Sequence, residues 1–447
     1  MRKVAFRDAL RFWWRLGFIS FGGPAGQIAI MHRELVERHR WISERRFLHA
    51  LNYCMVLPGP EAQQLATYIG WLLHGRWGGL VAGALFVLPS LFILIALSWI
   101  YVRYGEVPAV AALLHGVKPA VVAIVLAAAW RIGSRTLRHP LLWATAIAAF
   151  AALAFAHAPF PAVILGAGLL GMVGGRLLPG AFAGRGSHAM ASGTTAGAVI
   201  DDDTPPPPHA RFSLPATLAM TGAFLAAWAA ALGLLALRYG WESDFTHMAR
   251  FFTQAALLTF GGAYAVLPYV LQGAVEQHGW MTATQMIDGL ALGETTPGPL
   301  IMVVAFVGFV GGWSKQVLGP EALALAGMVG AIVATYFTFL PSFLFILAGG
   351  PLVEGTRDDM KLMAPLTAIT AAVVGVIVNL AVFFAWRVFW PEASPGAPFA
   401  GRFDYASVVI ALAASVALVW KRAGVIPVIA ASAAAGLALW LVGYGAR

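Results

Sequence analysis

Apolar runs separated by short polar breaks dominate the chain. Trp77–Val102, Val107–Trp130, Leu141–His157, Phe160–Leu177, Leu214–Leu237, Glu321–Leu347, Leu362–Ala385, Tyr405–Trp420 and Val425–Leu441 each read as a helix passing through a bilayer, which takes roughly 20 residues. Three other stretches behave differently. Phe6–Phe21 is apolar with Arg7, Arg11 and Arg15 on one side, and stops at Gly22-Gly23, where Pro24 suits the first turn of a new helix. Ala25–Arg40 has Ile28, Met31, Leu35 and Val36 at helical spacing with Arg33, Glu34, Glu37 and Arg38 between them, the pattern of an amphipathic surface helix. Phe47–Leu57 is apolar but short, about 16 Å as a helix. It meets Pro58-Gly59-Pro60, and Glu61–Leu73 has the length to return. These stretches predict a helical hairpin that dips into the membrane and comes back.

The plan occurs twice. Phe21 and Phe260, Trp41 and Trp280, and Pro58 and Pro297 each stand 239 residues apart, which marks an internal duplication. Leu88-Pro89-Ser90 returns as Leu340-Pro341-Ser342 at an offset of 252, so about 13 residues are inserted near Gly311–Glu321. Residues 1–178 form the first repeat and 214–447 a linking span plus the second. Between them, 179–213 is rich in Gly, Ser, Thr and Ala and ends in Asp201-Asp202-Asp203-Thr204 followed by four prolines, a flexible and partly polyproline linker.

Composition sharpens this. The chain is 60% hydrophobic and 11% charged, with a mean hydropathy of +0.78, against about 25% charge in a soluble domain. The net charge of +9 sits mostly at the ends of apolar runs, so it orients loops rather than marking a nucleic-acid surface. Residues 32–46 hold Arg33, Arg38, Arg40, Arg45 and Arg46, whereas 271–285 hold no Lys or Arg. The basic loops belong in the cytoplasm, and three crossings after the Arg131–Arg138 loop invert the second repeat. Arg357, Lys361, Lys421 and Arg422 fall on the cytoplasmic side in the same count, while Arg387 and Arg402 fall outside. The expected fold is an all-α polytopic membrane protein of two inverted-topology repeats with broken, re-entrant hairpins. Cys54 is the one cysteine, so no intramolecular disulfide forms.

A Pro-Gly-Pro inside a membrane frees backbone groups that lipid cannot satisfy, and survives only within protein or lining a cavity. Pro60 and Pro299 then start helices whose unpaired N–H groups face the bilayer midplane. Gly22, Gly23 and Pro24 break another helix, as Gly261 and Gly262 do in the second half. Helix starts attract anions, so Pro58, Gly59 and Pro60 with Pro297, Gly298 and Pro299 predict an anion site at the repeat interface. Gln27, Asn52, Gln63, Gln64, Thr295 and Thr296 are candidate donors to an oxyanion, or else helix–helix contacts. Glu61, Glu294 and Asp288 lie in the hairpins at membrane depth. They either cap helices or serve as carboxylates that bind a proton or gate passage. Arg45 and Arg46 either set topology or draw anions to the cytoplasmic mouth. No nucleotide loop, nucleophile–base pair, cofactor motif or Cys/His metal cluster is evident.

Phe21-Gly22-Gly23-Pro24 with Gln27, the Arg-rich helix, Trp41-Ile42-Ser43, Phe47 and Leu57-Pro58-Gly59-Pro60-Glu61-Ala62-Gln63-Gln64 closely resemble the chromate transporter family, in its long-chain, bidomain form. In the second half Ala263 stands where the first has Pro24. The resemblance implies an inner-membrane protein that expels chromate, confers resistance and meets sulfate as a competitor. A sulfate or other oxyanion importer, a passive anion channel and an intramembrane enzyme are the rival readings. Oligomeric state is open, a homodimer being one option.

Overall fold

Helices make up the regular structure of the described residues, beside two isolated bridges, Ile42 with Ile200 and Ser394 with Ala397. The computed structural model describes residues 4–443 except 22, 179, 181–196, 203, 206, 356–362 and 395. The expected roles of Gly22, Arg357 and Lys361 therefore lie outside the described residues. The first half runs α1 (Phe6–Ile19), α2 (Gly23–His32, widening into a π-helix at Arg33–Arg38), α3 (Glu44–Val56), α4 (Glu61–Tyr104), α5 (Pro108–Thr136), α6 (Pro140–Ala154) and α7 (Phe160–Leu177). After α8 (Leu214–Tyr239) come α9 (Asp244–Leu258), α10 (Ala263–Leu271, widening at Gln272–Gln277), α11 (Ala283–Thr295) and α12 (Val303–Ser314). The chain closes with α13 (Leu323–Gly355), α14 (Met363–Phe389), α15 (Tyr405–Val419) and α16 (Val425–Leu441).

Local detail recurs at the offset read from the sequence. Both π-helices begin 239 residues apart. His39 N–H to Glu34 O and Trp41 N–H to Leu35 O are matched by His278 N–H to Gly273 O and Trp280 N–H to Ala274 O. Ser43 caps α3 by accepting from Arg46 N–H, and Thr282 caps α11 by accepting from Gln285 N–H. Each cap satisfies an orphan donor of a helix start. The halves part at the inserted residues. In α4 the helix kinks at His74 and Gly75, the latter at φ 67°, whereas the second half leaves α12 at Ser314 and resumes through a short 3₁₀ turn, Pro320–Ala322.

The chain is a multi-pass membrane protein. Among the described residues six helices, α4, α5, α7, α8, α13 and α14, are long and apolar enough to cross a bilayer by length and composition. α8 turns large apolar side chains outward, Leu237 being 89% exposed, as a lipid-facing helix does. α1 has three faces. Phe6, Leu10, Trp14 and Phe18 are exposed, Ala9, Trp13 and Leu16 are buried, and Arg11 and Arg15 occupy a third. α1 follows α4 inward. The His74 ring donates to Val4 O at 2.9 Å, and a Cβ on Gly17 would meet Leu85 O at 2.3 Å.

The segment expected to be a flexible linker is held down in its described part. Ile200 N–H donates to Trp41 O at 3.0 Å and Ser43 N–H to Ile200 O at 2.9 Å. Ser43 Oγ donates to Asp202 at 2.6 Å, and the His209 ring to Trp71 O at 2.9 Å. The Arg40–Ser43 turn has backbone groups to satisfy, and the linker backbone satisfies them.

Candidate functional site

Each Pro-Gly-Pro turn is seated in the other half. Gly59 N–H donates to Thr259 O and Gly298 N–H to Ser20 O, both at 2.8 Å. The two bonds are reciprocal: donors and acceptors alike are 239 residues apart. Ser20 and Thr259 end α1 and α9, just before the Gly-Gly breaks. Gly59 (φ 126°) and Gly298 (φ 108°) hold a backbone that a side chain strains. There is also no room for one. A Cβ at 59 would lie 2.5 Å from Ser342 Oγ, and at 298, 2.8 Å from Ser90 Cβ. Ser90 and Ser342 belong to the two Leu-Pro-Ser motifs. Each tip is thus wedged between the broken helix and the proline-bearing span of the opposite half.

The tips and breaks share one cavity. Pro24, Gln27, Pro60, Glu61, Ala62, Ala263, Pro299 and Leu300 line it. Six of these eight residues pair at the same offset: Pro24 with Ala263, Pro60 with Pro299, Glu61 with Leu300. Four helix starts meet there, those of α2, α4, α10 and the 3₁₀ turn Leu300–Met302 that leads into α12. Helix starts leave N–H groups unpaired and carry partial positive charge. The lining therefore favours an anion without any Lys or Arg side chain. Glu61 is its one acid, and among the described residues its carboxylate has no hydrogen-bond or ion-pair partner. The cavity measures about 10 Å³, the lower bound for one water, so this conformation is closed to an oxyanion.

The candidate donor side chains are otherwise engaged. Gln27 Nε2 donates to Ser20 O at 3.3 Å and to Gly298 O. Gln64 Nε2 donates to Pro58 O at 2.8 Å, and Gln63 Nε2 to Thr67 Oγ1 at 3.0 Å. The Thr295 and Thr296 hydroxyls return to Leu292 O, and Thr296 also to Gly293 O. A broken helix frees carbonyls as well as amides, and lipid satisfies neither. Gln27, Gln64, Thr295 and Thr296 answer such carbonyls, whereas Gln63 answers the Thr67 hydroxyl. Asn52 is half-buried on α3 and does not line the cavity.

The remaining charged candidates lie away from the cavity. Glu294 is buried and accepts from the Tyr264 hydroxyl, joining α11 to α10. Asp288 is buried, accepts from Tyr101 at 2.9 Å and has Lys118 Nζ at 3.8 Å. Arg45 is exposed. Arg46 is buried, paired with Glu354 at 3.0 Å, and donates to Thr204 O. Sequence reasoning missed Lys118, Glu354, Ser90 and Ser342. An ionisable residue inside an apolar run was the available signal for Lys118. Among the described residues no His, Cys, Asp and Glu cluster fit for a metal occurs.

A profile described as Chromate transporter matches residues 7–172 and 246–437. A chromate transport protein of Pseudomonas aeruginosa is 34% identical over 437 residues, 96% of this chain and 90% of that protein. One from Cupriavidus metallidurans is 27% identical over 382 residues, 85% of this chain and 83% of its own length. An uncharacterized transporter of Bacillus subtilis is 33% identical over 116 residues, which are 26% of this chain and 65% of that shorter protein. No solved structure matches the chain.

Proposed function

The chain belongs to the chromate transporter family, and from that premise we propose that it exports chromate across the bacterial inner membrane as a secondary transporter. Alternating access about the two Pro-Gly-Pro tips is the mechanism, and chromate resistance the consequence. The observation that carries this reading is the convergence of four helix starts on one cavity lined by no cationic side chain. Such a site suits a desolvated dianion.

Two halves inserted in opposite senses account for the reciprocal Gly59–Thr259 and Gly298–Ser20 bonds. They also account for the bias of Arg toward first-half loops and for a half-length relative matching part of this chain. Rocking one half against the other opens the closed cavity to each side in turn. Energetics favour export. A potential of 100 mV, negative inside, contributes about 2.3 kcal/mol per charge, hence about 4.6 kcal/mol for a dianion leaving the cell. Glu61 adds a proton requirement. Ionised, it repels the dianion across the cavity; protonated, it offers a donor.

Chromate uptake into everted vesicles tests the reading. A lumen-positive potential is expected to speed uptake, and sulfate, of like shape and charge, to compete. Accumulation only in right-side-out vesicles under a cation gradient identifies an importer, and single-channel current a passive pore. Glu61→Gln is expected to flatten the pH dependence of uptake; an unchanged profile removes Glu61 from proton coupling.

A further inference from the structure

A cleft of about 430 Å³ opens beside α1, lined by Arg11, Phe12, Arg15, Glu34, His39 and Trp41 among others. Arg11 and Arg15 are four residues apart, so they share one face of α1 with about 6 Å of rise between them. α1 starts level with His74 and reaches the middle of α4 at Leu85. Arg15, nine residues beyond Phe6, therefore lies about 14 Å along it. A guanidinium at that depth needs water or a counter-charge. Neither Arg11 nor Arg15 has an ion-pair partner among the described residues. Glu34 is occupied by Arg38 at 3.3 Å, with Arg33 and His39 each at 3.8 Å. Asp8 also lines the cleft, one turn nearer its mouth. The floor, Leu16 and Ile19, ends next to Ser20, whose carbonyl holds the Gly298 tip.

The second half lacks this cleft's character. At the 239 offset Arg11 matches Arg250, but Arg15 matches Gln254 and Glu34 matches Gly273. Gln254 Oε1 accepts from the Tyr269 hydroxyl at 3.0 Å. The Phe251 ring lies on Gly273, where a Cβ would come within 2.1 Å of it. Phe12 and Phe251 make the same edge-on contact to the matched tryptophans, Trp41 at 5.3 Å and Trp280 at 5.6 Å, but Glu34 stands where Phe251 covers a glycine, and Phe12 and Glu34 line an open cleft. Two guanidiniums over open space next to the tips suit a tetrahedral dianion, which accepts charge-assisted bonds from both.

We propose that this cleft is a cytoplasmic capture site for a tetrahedral dianion, held by Arg11 and Arg15 before the cavity at the tips opens. The proposal rests on the export reading for its direction. One-sided placement of the arginines concentrates substrate on the face from which it departs.

The test compares wild type with R11Q/R15Q in everted vesicles over a range of chromate and salt concentrations. The half-saturating chromate concentration is expected to rise about tenfold or more and to lose most of its salt dependence. R11K/R15K, which keeps the charge, is expected to keep the salt dependence. In right-side-out counterflow, which presents the other face, half-saturation is expected to stay within about twofold. An unchanged half-saturation and salt response in the double variant overturns the site. So does a fall in maximal rate alone. An equal rise from both faces overturns the one-sidedness. Equilibrium dialysis of labelled chromate and sulfate against the purified protein reads capture without transport. Arginine-dependent binding there supports the site even if wild type moves no chromate, which would strike only the export reading. Absence of such binding, with transport intact, overturns the site.

Discussion

Gly59 and Gly298 each combine a positive φ with a contact that excludes a Cβ, so both restraints act on the same atoms. Gly298→Ala is expected to cost about 1–3 kcal/mol from backbone strain alone, with the clash against Ser90 added. Gly233 on α8 has open space around it, and Gly233→Ala is expected to gain up to about 1 kcal/mol from helix propensity. Thermal unfolding in one detergent compares them; equal effects would contradict the wedge at the tip. The glutamines show the same economy. Gln27, Gln63 and Gln64 each use the amide nitrogen on a protein acceptor and leave a buried Oε1 without a partner. Gln27 and Gln64 are directed at carbonyls freed by the breaks, Ser20, Gly298 and Pro58, and Gln63 at the Thr67 hydroxyl.

At the scale of elements, the short helix before each Pro-Gly-Pro turn is pinned by a buried polar contact to a long span of the other half. On α3, Arg46 reaches Glu354 of α13 at 3.0 Å, and Tyr68 donates to the same carboxylate at 2.6 Å. On α11, Asp288 reaches Tyr101 of α4 at 2.9 Å, with Lys118 beside it. The arms match by offset, but the charge on the arm is reversed. Removing one partner of a buried pair strands the other. Arg46→Ala is expected to cost about 3–5 kcal/mol, whereas Arg46→Met with Glu354→Leu recovers most of it. A double-mutant cycle by denaturant unfolding measures this. Additive losses would mean that the pair does not hold α3 against α13.

For the whole molecule, the reciprocal tip bonds make each half part of the other's site. Neither half completes the cavity alone, because Pro24, Pro60 and Glu61 face Ala263, Pro299 and Leu300 across it. Co-expressed fragments 1–190 and 191–447 are therefore expected to co-purify through one affinity tag, and each alone to aggregate. Two fragments that separate cleanly would show that the interlock contributes little. If this cavity takes the oxyanion, as proposed, its small size means that the halves must move apart to admit one.

The membrane class, six of the nine expected spans and the helix breaks were legible in the sequence because they are local; among the described residues α6, α15 and α16 are apolar but, at 15, 15 and 17 residues, shorter than a span. Hydropathy over about 20 residues sets a span, and Pro or Gly at 23–24, 58–60, 261–262 and 297–299 interrupts one whatever surrounds it. The offset of 239 also foretold which turns correspond. Local pattern carried no information about partners. Arg46 reads as a loop charge in sequence, yet it is buried against a carboxylate 308 residues away. Gln27 reads as an oxyanion donor or a helix–helix contact, and the carbonyl it answers lies 271 residues on. The linker at 197–213 reads as free chain, yet it completes the hydrogen bonds of Trp41 and Ser43. Those outcomes depend on which freed backbone groups come within about 3 Å of a side chain. Only the packing of one half into the other decides that.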